Sequence, residues 1–230
     1  MKTETTILEW MAAAVLLLAA GQANATVLFN TFGPGDMYNV VGGLTIGGPE
    51  TFEPDPTDWS QGNQFILGGS QSYLLSSIEV AIAHVHDTQG QPVGPDELDV
   101  WLMSDDAGQP GSIIETFHLV DQMGVFGEYN PPLVGVSILH PVLDPGTPYW
   151  LIASAPDDDT WAAWCDSQPA VMGLRAIRNG PVPWAVHGDE IMAAFRISGT
   201  AVVPAPGALV MAGLGAGLVG CAGRRGKSRA

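Results

Sequence analysis

The order of apolar and polar residues between positions 26 and 201 predicts short β-strands. In "SSIEVAIAHV", "ELDVWLMS" and "PYWLIAS", apolar side chains recur at every second position. A period of two places these side chains on one face, so each segment is predicted as a half-buried strand. The positions on that face are Ile78, Val80 and Ile82, then Leu98, Val100 and Leu102, then Tyr149, Leu151 and Ala153.

Clusters of Gly, Pro and Asp separate these strands. They lie at 87–97, 104–112, 143–148 and 155–160, and further strands are predicted at 113–119, 134–139, 170–177 and 192–201. About eight to ten short strands, with a turn roughly every dozen residues, indicate an all-β fold. We expect a two-sheet antiparallel β-sandwich over residues 26–201, with the glycine-rich segment 42–63 as a loop-rich edge that covers one end.

The first 25 residues have the pattern of a secretory signal peptide. An apolar run at 11–20 is followed by the small residues Ala23 and Ala25, which predict cleavage after Ala25. The run is too short to span a hydrocarbon core of roughly 30 Å as a stable helix.

The last 29 residues, 202–230, form a second targeting segment. Residues 207–222 carry no charge and are rich in Gly and Ala, and as a helix they would extend roughly 24 Å. A basic cluster follows, which the positive-inside rule keeps in the cytoplasm: Arg224, Arg225, Lys227 and Arg229. The two ends therefore predict that residues 26–201 lie outside the inner membrane.

The negative charge of the chain limits the classes of partner that it can bind. The formal net charge is −16. The middle region, residues 26–201, holds all but two of the 24 acidic residues and only three of the eight basic ones. Such a region repels phosphate backbones and anionic lipid, so nucleic acid is excluded as a partner. The acidity favours solubility of an exported protein, with binding of divalent cations between chains as the alternative. Cys165 and Cys221 lie in different regions, so no disulfide forms within the domain.

Several polar groups are candidates for metal binding. His84 and His86 share one strand face and could hold a metal with a third ligand, but histidines that face water at a strand end explain such a pair more often. The acidic segments 104–106 and 157–159 could offer oxygen ligands to calcium, but neither has the spacing of a calcium loop, which favours solvated turns. We expect no metal and no cofactor.

Catalysis and sugar binding are the other candidate chemistries. His187 and Glu190 lie close in sequence, but no Ser or Cys stands in a nucleophile motif, so an envelope hydrolase is the third hypothesis and no catalytic residue is assigned. Cys165 has no basic neighbour and is expected to be buried. Six tryptophans lie in the middle region, and most should be core. Trp161 and Trp164 follow an acidic turn and could form an exposed rim, which makes a carbohydrate-binding module the second hypothesis.

Four segments resemble an exported bacterial family. They are "NQFILGGSQSYLLSSIEVAIA", "VWLMSDDAGQPGSIIETF", "LDPGTPYWLIAS" and "AAFRISGTAVVPAP". In this order they are similar to the choice-of-anchor R domain, over most of residues 29–200. The resemblance implies a jelly-roll-like topology and a sorted location. It carries no established catalytic residue.

The C-terminal segment resembles the PEP-CTERM sorting signal of Gram-negative bacteria that make extracellular polysaccharide. Pro204 and Pro206 match its two prolines, and Ala205 stands where that family usually has glutamate. The resemblance implies that a membrane-embedded exosortase removes the tail after the secretion machinery has exported the chain. A permanent membrane anchor is the alternative. Together these patterns predict a non-catalytic protein of the cell surface or extracellular matrix with a structural or adhesive role, in possible contact with extracellular polysaccharide.

Overall fold

The computed structural model describes residues 25–51 and 57–202 of the chain. The described residues form fifteen strands and two short 3₁₀ turns, Pro34–Asp36 and Pro49–Thr51. The strands in chain order are β1 (Thr26–Asn30), β2 (Tyr38–Gly47), β3 (Trp59–Ile66), β4 (Tyr73–Val80), β5 (Ile82–His84), β6 (Glu97–Asp106), β7 (Gln109–Val120), β8 (Gly124–Val125), β9 (Leu133–Val136), β10 (Val142–Leu143), β11 (Pro148–Ser154), β12 (Trp161–Ser167), β13 (Met172–Asn179), β14 (Ala185–Ile191) and β15 (Phe195–Ala201). The all-β class is confirmed.

The strands form two sheets. The smaller sheet has the order β1-β15-β4, and β9 and β10 both pair with β4. The larger sheet has the order β7-β6-β11-β3-β2-β12-β5-β8, and the β13–β14 hairpin joins it because β13 also pairs with β3. The named strand pairs of the described residues are antiparallel except β5 with β8, which are parallel. The predicted antiparallel arrangement is therefore correct apart from this one edge.

The two sheets pack face to face over one main apolar core. Ile78, Val80 and Ile197 of the smaller sheet and Val100 and Leu151 of the larger sheet belong to the same cluster of buried side chains. All five are fully buried, as the period-two pattern predicts for four of them. Burial of this apolar surface is the main force that holds the sandwich together, at about 25 cal/mol per Å².

The chain changes sheets inside a segment that was predicted as one strand. The run that contains Ile78, Val80 and Ile82 is divided at Ala81 into β4 of the smaller sheet and β5 of the larger one. All three side chains are still buried, because each points into the space between the sheets. Such divisions explain why the strands outnumber the eight to ten expected from sequence.

Strand β11 is buried on both faces. Tyr149 and Leu151 face the main core, as predicted, but Trp150 and Ile152 are buried as well and belong to a separate cluster on the outer face. Side chains of the β13–β14 hairpin, with Trp184 among them, pack against that outer cluster. The prediction of a half-buried strand is therefore wrong for β11, because a hairpin from a distant part of the chain covers its second face.

The segment 42–63 is not an edge. Its two ends lie in β2 and β3, which occupy the interior of the larger sheet. A Cβ atom added at Gly43 would lie 2.5 Å from the carbonyl oxygen of Trp164, and one added at Gly62 would lie 1.9 Å from that of Leu151. These glycines allow close approach of neighbouring backbones, a role that glycine takes inside sheets as well as in loops.

The predicted targeting segments fall almost entirely outside the described residues. This applies to residues 1–24, with Ala23, and to residues 203–230, with Pro204, Ala205, Pro206 and the basic cluster. Ala25 is described, and it is exposed directly before β1. In residues 25–51 and 57–202, no helix has the length and apolar character needed to cross a membrane.

Candidate functional site: a tyrosine-lined groove

An open groove lies beside the start of β2. It has a volume of about 470 Å³. The 3₁₀ turn Pro34–Asp36 contributes Gly35, the start of β2 and the residue before it contribute Met37–Val40, and Tyr129 and Gln168 come from distant parts of the chain. None of these lining side chains carries a charge at neutral pH.

Two stacked tyrosines form the aromatic part of the groove. The ring centroids of Tyr38 and Tyr129 are 5.1 Å apart, and the ring planes are inclined by 20°. Tyr38 is only 3% exposed, whereas Tyr129 is 50% exposed. One ring is thus anchored in the protein and supports a second ring that remains open to solvent.

Hydrogen bonds hold both rings in place. The Tyr38 hydroxyl donates to the carbonyl oxygen of Asn130 and accepts from the amide of the same residue, each at 2.7 Å. The Tyr129 hydroxyl lies 3.3 Å from the carbonyl oxygen of Gly35 and 3.2 Å from that of Asp36. The loop that carries Tyr129 is therefore tied to the opposite wall of the groove through both tyrosines.

The groups that line the groove are uncharged, and the carboxylate at its rim is paired with an opposite charge. Burial raises the pKa of Tyr38 above its ordinary value of 10.0, so its hydroxyl stays protonated and can donate. Asp36, at the rim, forms an ion pair with Arg196, which also bonds Glu79 at 2.9 Å. The Asp36 carboxylate is thus paired with a cation.

No pattern in the sequence assigns these residues to a site. Tyr38 and Tyr129 are each followed by an asparagine, in "MYN" and "EYN", and both lie beside turn-forming residues. Those are the signals that the sequence offers. The two tyrosines meet only because the loop after β8 folds back onto β2.

The prediction that Trp161 and Trp164 form an exposed rim is wrong for Trp164. This side chain is fully buried, and its Nε1 donates to the carbonyl oxygen of Ala194 at 3.0 Å. Trp161, at the start of β12, is half-buried and does not line the groove. Since alternate residues on a strand face opposite sides, residues 161 and 164 cannot form one flat platform.

Two other tryptophans flank an arginine on the outer face of the larger sheet. The guanidinium carbon of Arg178 lies 4.7 Å from the ring centroid of Trp184 and 5.7 Å from that of Trp101. These are cation–π distances. Both indoles are half-buried and pack against Trp150, so this cluster covers the outer core of β11.

The candidate metal ligands have structural roles. His84 is buried, contrary to the expectation that both histidines face water, and its Nε2 lies 2.9 Å from the carbonyl oxygen of Val93. His86 Nδ1 lies 3.1 Å from the carbonyl oxygen of Gly90. No group of three or more His, Cys, Asp or Glu side chains within the described part of the chain is placed to hold a metal ion.

The aspartates of the two acidic turns accept hydrogen bonds from nearby donors. Asp105 accepts from the Trp150 indole at 2.8 Å and from the Gly108 amide at 2.9 Å. Asp157 accepts from the amide and the hydroxyl of Thr160, at 2.8 and 3.0 Å. Each aspartate therefore satisfies a donor of its own turn, a role that is common for this residue type, and Asp105 also bonds the neighbouring strand β11.

His187 and Glu190 lie on β14, which pairs only with β13 among the described strands. His187 is exposed, and Glu190 interacts electrostatically with Arg175 on β13. Neither residue lines the groove. The exposure of His187 does not fit the closed pocket that the hydrolase hypothesis requires.

Cys165 is buried, as predicted, with 1% of its surface exposed. Burial, aided by the Asp166 carboxylate, raises the pKa of this thiol from 9.0 to about 12. At pH 9 only about one folded molecule in a thousand therefore carries a thiolate.

We expect native Cys165 to resist iodoacetamide at pH 9 and to react at once in 8 M urea, because the thiolate is the nucleophile. The measurement is intact mass in a Cys221→Ser background, which removes the second thiol. Complete alkylation of the folded protein within minutes would contradict the buried, protonated state.

Comparison of the chain with protein-family models, with curated proteins and with solved structures found no match.

Proposed function

We propose that this chain is an exported, non-catalytic protein of the cell surface or extracellular matrix, with a structural or adhesive role. The observation that carries the proposal is the position of the first and last described strands. Strand β1 starts at Thr26, directly after the predicted cleavage site, and β15 ends at Ala201, three residues before Pro204.

The first and last strands also pair with each other. Thr26 lies opposite Gly199, and Asn30 lies opposite Arg196, in the smaller sheet. The described strands thus use no residue of the predicted signal peptide or of the sorting motif. Removal of both ends would leave every described strand intact, which supports their removal during export.

The proposed route follows from the sequence resemblances. A signal peptide at 1–25 directs export, and the segment 202–230 holds the chain in the inner membrane as a PEP-CTERM-like signal until an exosortase-type enzyme removes it. The domain itself is proposed to be of the choice-of-anchor R kind, with a jelly-roll-like arrangement of its strands. The all-β sandwich is compatible with that finer assignment.

A carbohydrate-binding module is the second candidate function. The stacked pair of Tyr38 and half-exposed Tyr129 favours it. The enzyme hypothesis has less support, because His187 and Glu190 lie on β14, which among the described strands pairs only with β13.

Mass spectrometry of surface-extracted protein tests the proposed route. We expect the mature form to begin at Thr26 and to lack residues 226–230. Neutral residues in place of Arg224, Arg225, Lys227 and Arg229 should release or misroute the precursor, because the basic cluster holds the tail on the cytoplasmic side. Peptides from 226–230 on the mature surface form would show a permanent anchor, and a mature chain that begins at Met1 would contradict the signal peptide.

A further inference from the structure

We propose that the groove of Tyr38 and Tyr129 binds a neutral oligosaccharide. This inference rests on the proposed function, since it names the chemistry through which an exported protein would adhere to extracellular polysaccharide. The residues that carry it are Tyr129, Tyr38, Asn39 and Gln168, which no sequence pattern assigned to a ligand.

The aromatic part of the groove suits a sugar ring. Half of the Tyr129 surface is open to solvent, and Tyr38 supports its ring from within the protein at 5.1 Å. A pyranose presents a face of C–H groups that packs against such a ring, as apolar groups do against aromatic faces. Because both hydroxyls are hydrogen-bonded to backbone atoms, little side-chain entropy remains to be lost on binding.

The polar part of the groove is made of amides. The Oδ1 atom of Asn39 accepts from the Val41 amide at 3.2 Å, and its Nδ2, beside the Asp166 carboxylate, is the donor that this residue offers to a ligand. Gln168 is exposed on the other side and offers both a donor and an acceptor. Amides pair with hydroxyl groups in either direction, as the alternating donors and acceptors of a sugar require.

The charge of the groove selects a neutral ligand. The lining side chains are uncharged, in a chain with a formal net charge of −16. The rim carboxylate of Asp36 is paired with Arg196, so it does not offer a free site for a cation. An acidic polysaccharide would meet the negative field of the whole domain and find no arginine among the lining residues.

The size of the groove also fits. Its volume of about 470 Å³ lies in the lower half of the range of roughly 300–1,000 Å³ that small-ligand sites occupy. The groove is open, so a chain longer than the bound sugars can continue into solvent. This is the geometry expected for a polymer, in contrast to a closed pocket for a free monosaccharide.

The test is a glycan array that displays neutral hexose and N-acetylhexosamine oligomers beside uronic-acid and sulfated ones. The full chain is kept in a zwitterionic detergent without a sugar head group, so that the detergent does not compete. We expect binding to neutral oligomers, and a Kd for the best of them that Tyr129→Ala weakens by about tenfold or more, because the exposed ring is lost.

Tyr129→Phe is the matched control. It removes the two hydroxyl contacts that hold the ring but keeps the ring itself, so it should weaken binding less than Tyr129→Ala does. Thermal unfolding of both variants shows whether the fold is kept, and Trp184→Ala reports on the other aromatic cluster. Binding that Tyr129→Ala leaves unchanged, binding only to acidic glycans, or binding to none overturns the proposal.

The same preparations separate this inference from the proposed function. The wild type and the Tyr129→Ala variant are both expected at the cell surface with both ends removed. A processed surface protein that binds no neutral glycan would overturn the groove assignment and leave the export route in place. A protein that binds neutral glycans but keeps residues 226–230 would overturn the export route and leave the groove assignment in place.

Discussion

Replacing Trp164 by alanine is expected to lower the free energy of unfolding by about 3–5 kcal/mol. The indole is fully buried between the sheets, and its ring centroid lies 5.9 Å from that of Phe195 in the smaller sheet. Removal of the ring leaves a large cavity in the main core and takes away one of the two donors to the carbonyl oxygen of Ala194, which also accepts from the Ala81 amide. Urea unfolding followed by circular dichroism measures the loss.

Two variants serve as controls for this prediction. Trp164→Phe keeps most of the apolar volume and should cost less than the alanine variant, while it still removes the hydrogen bond to Ala194. Trp161→Ala changes a half-buried indole on the same strand and should cost less as well. A Trp164→Ala variant that unfolds at the wild-type urea concentration but loses glycan binding would restore the rejected rim hypothesis.

Replacing Glu115 by alanine is expected to cost about 3 kcal/mol, which is unusual for an acidic residue. Glu115 is 4% exposed, and its carboxylate accepts from the Ser137 hydroxyl at 2.7 Å. It also accepts from the amides of Ile138 and Leu139, at 2.7 and 3.0 Å. The carboxylate thus organises the turn between β9 and β10, and its loss leaves three donors without an acceptor.

The amide variant separates this role from simple loss of volume. Glu115→Gln retains an oxygen for the two backbone amides, and it should cost about 1 kcal/mol. Glu128→Ala, at an exposed loop position, should have no measurable effect on stability. If Glu115→Ala also unfolded within about 0.5 kcal/mol of the wild type, the proposed role in the turn would be wrong.

The turn that Glu115 holds also explains an error of the sequence prediction. A strand was expected at 134–139, but β9 ends at Val136. The amides of Ile138 and Leu139 donate to Glu115 and leave the sheet, although both residues have the apolar character of a strand. Their side chains are 84% and 66% exposed. A carboxylate from a different strand decided this boundary, and no local pattern indicates it.

The sequence by itself determined the fold class and much of the core. Leu98, Val100 and Leu102 were assigned to one buried face, and all three are fully buried. Such assignments succeed because the two-residue period of a strand is a local property, and because the turns between strands need Gly, Pro and Asp for local backbone reasons.

The tertiary structure alone decided which strands are neighbours, and with them the candidate site. Trp164 lies in the core because it faces Phe195 across the sandwich. Strand β11 is buried on both faces because a hairpin from a distant part of the chain covers its outer face. Tyr38 bonds Asn130, 92 residues further along the chain. The period of a strand specifies which side chains share a face but not which other strand or loop that face will meet, so the tyrosine groove could be found only in the folded chain.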